Sequence, residues 1–293
     1  MSRLVSRWLP LLLLALVAGL AGCKREVVAP GDPVAAVKGL AAAVRANDLV
    51  RYSRLSVPPE LHRRLEARWT ENLAAGPAPT AKQRADYDRW MGRLTQKDAE
   101  DQLYASFDRR MKKIEADLNS QWPLMKATGG IFLTGVIQAN PRLSAGEKAH
   151  AKTLGTALLD TITPELLTDR RRARQAIAVV VETARDLELP SLEHSRRLEM
   201  IPALERGGRI LAGAKAIGRI YGLDADAALH AVDARVVEVE GDVATMEVSY
   251  PLAGRRIAFP MQLLRRDGRW YSADAVRQAE AELARPPGDK AGA

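Results

Sequence analysis

The chain has 293 residues, 47% hydrophobic and 27% charged, with a formal net charge of +8 and a pI near 9.7. That length is enough for one large core or two small ones. One cysteine in the whole chain excludes an intramolecular disulfide, so stability must come from packing.

In chain order, Arg3 and Arg7 precede an apolar run over residues 9–20, closed at once by Gly22, Cys23, Lys24 and Arg25. A bilayer-spanning helix needs about 20 apolar residues, so this run is too short, and the layout is that of a secretory signal. Export argues against the nucleic-acid partner that a basic pI would otherwise suggest. Leu20, Ala21, Gly22 and Cys23 resemble the lipobox of bacterial lipoproteins. That resemblance implies cleavage between Gly22 and Cys23 and acyl chains on Cys23 that hold the protein in a membrane. Each buried CH₂ contributes about 0.8 kcal/mol, so two or three chains hold where one is marginal. Lys24, where an Asp would favour inner-membrane retention, implies the inner leaflet of the outer membrane, with the body facing the periplasm. Envelope proteins and anionic cell-wall or lipid groups are then the expected partners of a basic surface, and nucleic acid is not.

Residues 24–31 are short and mixed and read as a tether. A first helix follows, with Asp32 as cap, Pro33 at its first position and Val34, Val37, Leu40, Ala41 and Val44 on one face. From Ser56 to Gly222 the pattern is helical. Expected helices cover 60–73 and 80–94, and a third opens at Thr95 and Asp98 with Tyr104, Phe107, Met111, Ile114 and Leu118 in a seam. After Pro123, the stretch GGIFLTGVI reads as a buried helix or turn. Ser144 and Glu147 form a capping-box pattern before Leu154, Leu158 and Ile162. Thr168 or Asp169 opens a helix with Ala173, Ile177, Val180, Ala184 and Leu187 as its core face. Pro190 ends it, Ser191 caps a short successor, and Ile210, Ala214, Ile217 and Tyr221 mark the last helix of the run.

Past residue 230 the period changes to two. Alternating runs separated by Glu240-Gly241-Asp242, Ala253-Gly254 and Asp267-Gly268 predict an antiparallel meander of three to four strands. The fold class is therefore α+β, a mostly helical body with a C-terminal meander. The expected divisions are a signal peptide 1–22, a lipidated tether 23–31, a helical region 32–222, a sheet region 223–285 packed with the first helix, and a flexible tail 286–293. The meander, ending in RRDGRWYSAD, looks similar to the last strands of nuclear-transport-factor-two-like or cystatin-like cones. That resemblance covers residues 32–48 and 230–274 and makes the helical middle an insertion.

Candidate chemistry is sparse. Glu147 and His150 have the Glu-x-x-His spacing of di-iron bundles, but a second copy is missing and His150 lies on an apolar face. GRILAGAK spaces Gly208 and Gly213 like a phosphate loop, yet Ala214 stands where the lysine belongs, so close helix packing is the better account. Acidic pairs such as Asp98 with Asp101, or Asp224 with Asp226, are ordinary on polar helix faces. The run DRRRAR places Arg170, Arg171 and Arg172 in the first turn of a helix, against its dipole; internal partners such as Asp169 and Asp160 come first and an anionic contact second. The basic run RRMKK is a solvated face first. Tyr250, Phe259 and Trp270 would line a pocket if the sheet is a cone, or fill the core if it is not.

No cofactor, metal or nucleophile motif is found. The expected role is non-catalytic, a binding or accessory protein of the envelope, with a small-molecule carrier and a hydrolase with an acidic site as alternatives. A packed sheet face would oppose the carrier, and an exposed apolar or basic patch would favour a partner-binding role.

Overall fold

Residues 27–141 and 143–288 are described in a computed structural model of the chain. Gly22, Cys23 and the rest of residues 1–26 lie outside them, as do residues 289–293.

Helix α1 (Pro33–Arg45) starts where the Asp32 carboxylate accepts the Ala35 amide at 2.7 Å and Pro33 supplies a helical φ. The chain turns at Asn47, whose φ is +58°, and Asp48 at once caps α2 (Leu49–Ser56), a short helix the periodicity does not announce. Helices α3 (Pro59–Ala75), α4 (Ala81–Thr95) and α5 (Ala99–Ala139) follow. Then come α6 (Ala145–Thr161), α7 (Pro164–Thr168), α8 (Arg170–Asp186), α9 (Leu192–Arg196), α10 (Met200–Ile220) and α11 (Ala225–His230). The strands β1 (Asp233–Glu240), β2 (Val243–Leu252), β3 (Arg255–Arg266) and β4 (Arg269–Ser272) form one antiparallel sheet in the order β1-β2-β3-β4, and α12 (Ala273–Ala284) closes the fold. The body is mostly helical with a C-terminal meander, an α+β fold. Ala253-Gly254 and Asp267-Gly268 both have positive φ at each position, the conformation of tight hairpin turns whose twist matches the strands.

The sheet's core follows from its register. Ala244, Met246 and Val248 of β2 face Leu263, Met261 and Phe259 of β3, and with Ala234 and Trp270 they make one side of the sheet. Ala36 and Val37 of α1 pack on that side. Tyr271 and Leu264 point the other way, into a second cluster with Val57, Leu61, Val276 and Ala279. Pro260 is tolerated in β3 because β4 pairs only with residues 263–266, so the missing amide meets no partner strand.

Four expectations need correction. The described part of the tether, residues 27–31, is not loose: Ala29 is fully buried, Val27 packs on Leu40, Ala43 and Leu55, and the Trp270 amide donates to Pro30 O at 3.0 Å. This covers the outer edge of β4. Residues 286–288 of the tail are likewise tied, the Gly288 amide donating to Asn72 Oδ1 at 2.9 Å. The third helix runs on through Pro123, and GGIFLTGVI is the end of that helix with only one side covered: Ile131, Phe132 and Val136 are exposed while Ile137 is buried. On α8 the buried row is Ala173, Val181 and Ala184, with Val180 turned outward. On α10 it is Gly208, Gly213 and Lys215, with Ile210 turned outward.

Candidate functional site

The two glycines of GRILAGAK sit where helices meet. A Cβ on Gly208 would lie 2.3 Å from the Asn47 carbonyl oxygen, and one on Gly213 would lie 2.3 Å from Thr183 Oγ1. Lys215, two turns from Gly208 and two residues past Gly213, is buried and donates to Val44 O, Arg45 O and Asp226 Oδ1, at 2.9, 2.9 and 2.6 Å. It satisfies the last carbonyls of α1, as a cation at a helix C-terminus does. This segment joins helices.

The acidic pairs are also occupied. Asp224 caps α11, Asp226 binds Lys215 and Arg219, Asp101 binds Arg174 at 2.8 Å, and Asp98 accepts from Gln102. Glu147 closes the capping box of α6 with Ser144, and His150 turns away from it. Among the described residues no group of three His, Cys, Asp or Glu side chains is placed to hold a metal ion.

Tyr250 and Phe259 do come together, with a third ring the sequence did not join to them. His150 of α6 stacks on Phe259 with ring centres 3.8 Å apart, and its Nε2 is hydrogen-bonded to the Tyr250 hydroxyl at 2.8 Å. Burial lowers the imidazole's pKa and raises the phenol's, which keeps both neutral. The helix fills the place a pocket would need. Trp270 lies elsewhere, 4% exposed in the core beside Met246 and Leu263. Two shallow grooves occur away from these rings. The larger, about 610 Å³, runs between α4 and the end of α8, past Met91, Thr95, Leu189 and Pro190. The smaller, about 250 Å³, lies between Arg93 and Arg109.

The arginines of DRRRAR are placed unequally. Arg170 grips both oxygens of Glu115 at 2.8 and 2.7 Å and reaches Asp108 at 3.3 Å, tying α8 to α5. Hydrogen bonding to Arg170 holds the Glu115 carboxyl below its usual range; for Asp108 the main cause is Lys112. Arg172 lies 3.5 Å from Asp169, whose carboxylate caps α8 through the Arg172 amide. Arg171 is exposed. Arg170 and Arg172 thus find internal partners, although Asp160 is not among them: it sits between Lys126 and Arg255, each at 2.8 Å.

The feature left without a structural task is the second half of α5. Its inner side meets α6: Gly129 and Gly130 receive Leu159, Leu133 presses on Gly155, and Ile137 is buried. Its outer side carries Leu124, Ile131 and Phe132 at 71, 75 and 73% exposed, with Met125 and Val136 also exposed. Leu124 and Ile131 are seven residues apart, and Met125, Phe132 and Val136 form the next row, so two turns of the helix repeat the same apolar face. From Leu124 to Val136 this covers about 18 Å at 1.5 Å per residue. Scattered apolar residues on a surface need no account, but a continuous face marks a place of contact. Sequence reading took the stretch as buried; the usable signal was its charge, since residues 118–146 contain no Asp or Glu in a chain that has 36 of them.

No helix of the described residues is long and apolar enough to cross a membrane. No family model, curated protein or solved structure matches the chain.

Proposed function

We propose that the protein is a lipid-anchored lipoprotein of the bacterial envelope, held through Cys23 in the inner leaflet of the outer membrane, with a non-catalytic binding or accessory role. The observation that carries the binding role is the exposed apolar face of α5, formed by Leu124, Met125, Ile131, Phe132 and Val136. The occupied acidic pairs weigh against a hydrolase, and the ring packing of His150, Tyr250 and Phe259 weighs against a carrier with a sheet pocket. The anchor reading rests on the Leu-Ala-Gly-Cys motif and the apolar run before it.

Native mass spectrometry of the full protein, extracted from its own membrane in mild detergent, tests both parts. A triacylated chain, alone or with lipid or protein attached, supports the reading. A chain of unmodified mass sinks the anchor, and a discrete small molecule that stays bound moves the function to a carrier.

A further inference from the structure

We infer that the outer face of α5 docks on a lipid surface. This rests on the reading of Cys23 as an anchor and names the partner of the proposed binding face. Three observations favour a bilayer over another protein.

The first is charge. A phospholipid surface with anionic headgroups repels carboxylates, and residues 118–146 carry none; Lys126 and Arg142 are the charges there. The carboxylate that α6 brings to Lys126, Asp160, lies on the inner side of α5 and is neutralised by both Lys126 and Arg255.

The second is shape. The face is a row along one helix, and its large side chains Leu124, Ile131 and Phe132 stand out into solvent. An interfacial helix buries such a row by about 5–10 Å into the headgroup boundary and needs no complementary cleft.

The third is reach. Val27 is fixed against Leu40, Ala43 and Leu55, so the link from Cys23 is four residues, at most about 14 Å when extended. The acyl chains therefore hold a bilayer within that distance of the body, where an exposed apolar face can meet it.

The test uses the chain from residue 24 onward, without acyl groups, floated with unilamellar vesicles of phosphatidylethanolamine and phosphatidylglycerol. The unlipidated protein should co-float, and the I131D/F132D variant should lose at least tenfold of the bound fraction while keeping its circular dichroism and melting temperature. L124S provides a milder second variant, with a severalfold loss. If the unlipidated protein stays at the bottom of the gradient, or if it and I131D/F132D float equally, lipid docking is wrong. A dimer in sedimentation equilibrium that I131D/F132D dissolves would assign the face to a second copy and also overturn it. Failure of the anchor is read separately: an unacylated chain extracted from cells, with vesicle binding intact, removes Cys23 from the account and leaves the face.

Discussion

The sheet end and the helical middle are built on different principles. At the sheet end, large side chains fill the interior: Met246, Leu263, Tyr271 and Ile257 are at most 2% exposed, and α1, α2, α3 and α12 cover both sides. In the middle, the buried positions of α5, α6 and α8 are mostly small, Ala99, Ala157, Ala173 and Ala184, with Leu118, Ile137 and Val181 among them. Ion pairs such as Arg170 with Glu115 and Lys126 with Asp160 join these helices, and large apolar groups are left outside. One region spends its apolar surface on holding the fold, and the other presents it to the environment.

The strongest test of that contrast is Trp270→Ala. It should lower stability by about 3–5 kcal/mol, the range for emptying a packed aromatic site, read as an earlier midpoint in urea. A loss below about 1 kcal/mol would mean that Trp270 lines a space instead of filling the core.

Next in size is Gly208→Ala. The added Cβ meets a backbone oxygen at 2.3 Å, which cannot rotate away as a side chain can. Overpacking costs about 1–3 kcal/mol, and the gain in helix propensity returns at most about 1. A net loss in the melting temperature is expected; a gain would show that α10 and the Asn47 turn are not in tight contact.

A smaller effect comes from pH. Burial is the main cause lowering the pKa of both His62 and His150; for His62, Glu66 opposes it and Arg54 adds to it. A lowered folded pKa means that the unfolded chain binds more protons, so this stability is present above the ordinary histidine value of about 6.5 and is lost as pH falls through it. The melting temperature should fall between pH 7.5 and 5. Ring proton shifts followed by NMR should place both midpoints below the ordinary histidine value of about 6.5; midpoints at or above it would contradict the burial of these two rings.

The smallest effect should be that of Phe132→Ser. An exposed substitution away from caps and core lies within about ±0.5 kcal/mol, so chemical unfolding should barely change although a large apolar group is lost. A loss of 2 kcal/mol would show that the outer face of α5 is covered and belongs to the core after all.

Local chemistry was readable from the chain where it acts over a few residues. Asp32, Ser144, Asp169 and Ser191 each cap the helix that follows them, because a short side-chain oxygen reaches an unpaired amide two or three positions on. The Ala253-Gly254 and Asp267-Gly268 turns fixed the strands on either side. Pro123 leaves α5 unbroken: losing one backbone bond and adding a clash costs about 3 kcal/mol, yet the helix continues where α6 braces the residues beyond it. Tyr250, Phe259 and Trp270 were grouped as lining a pocket or filling the core, yet Trp270 lies apart and His150 joins the other two, since sequence separation says nothing about which helix covers which strand.

The sequence by itself determined that this is a helical body with a C-terminal meander, where its turns and caps fall, and that one long stretch is free of acidic side chains. Only the tertiary structure decided which apolar rows are covered. Periodicity marks a face as apolar from within a single helix, whereas burial depends on a second element arriving over it. On α8 and α10 that shifted the buried row to Val181 and to Gly208 and Gly213; on α5 it covered Leu133 and Ile137 and left Leu124, Ile131 and Phe132 bare.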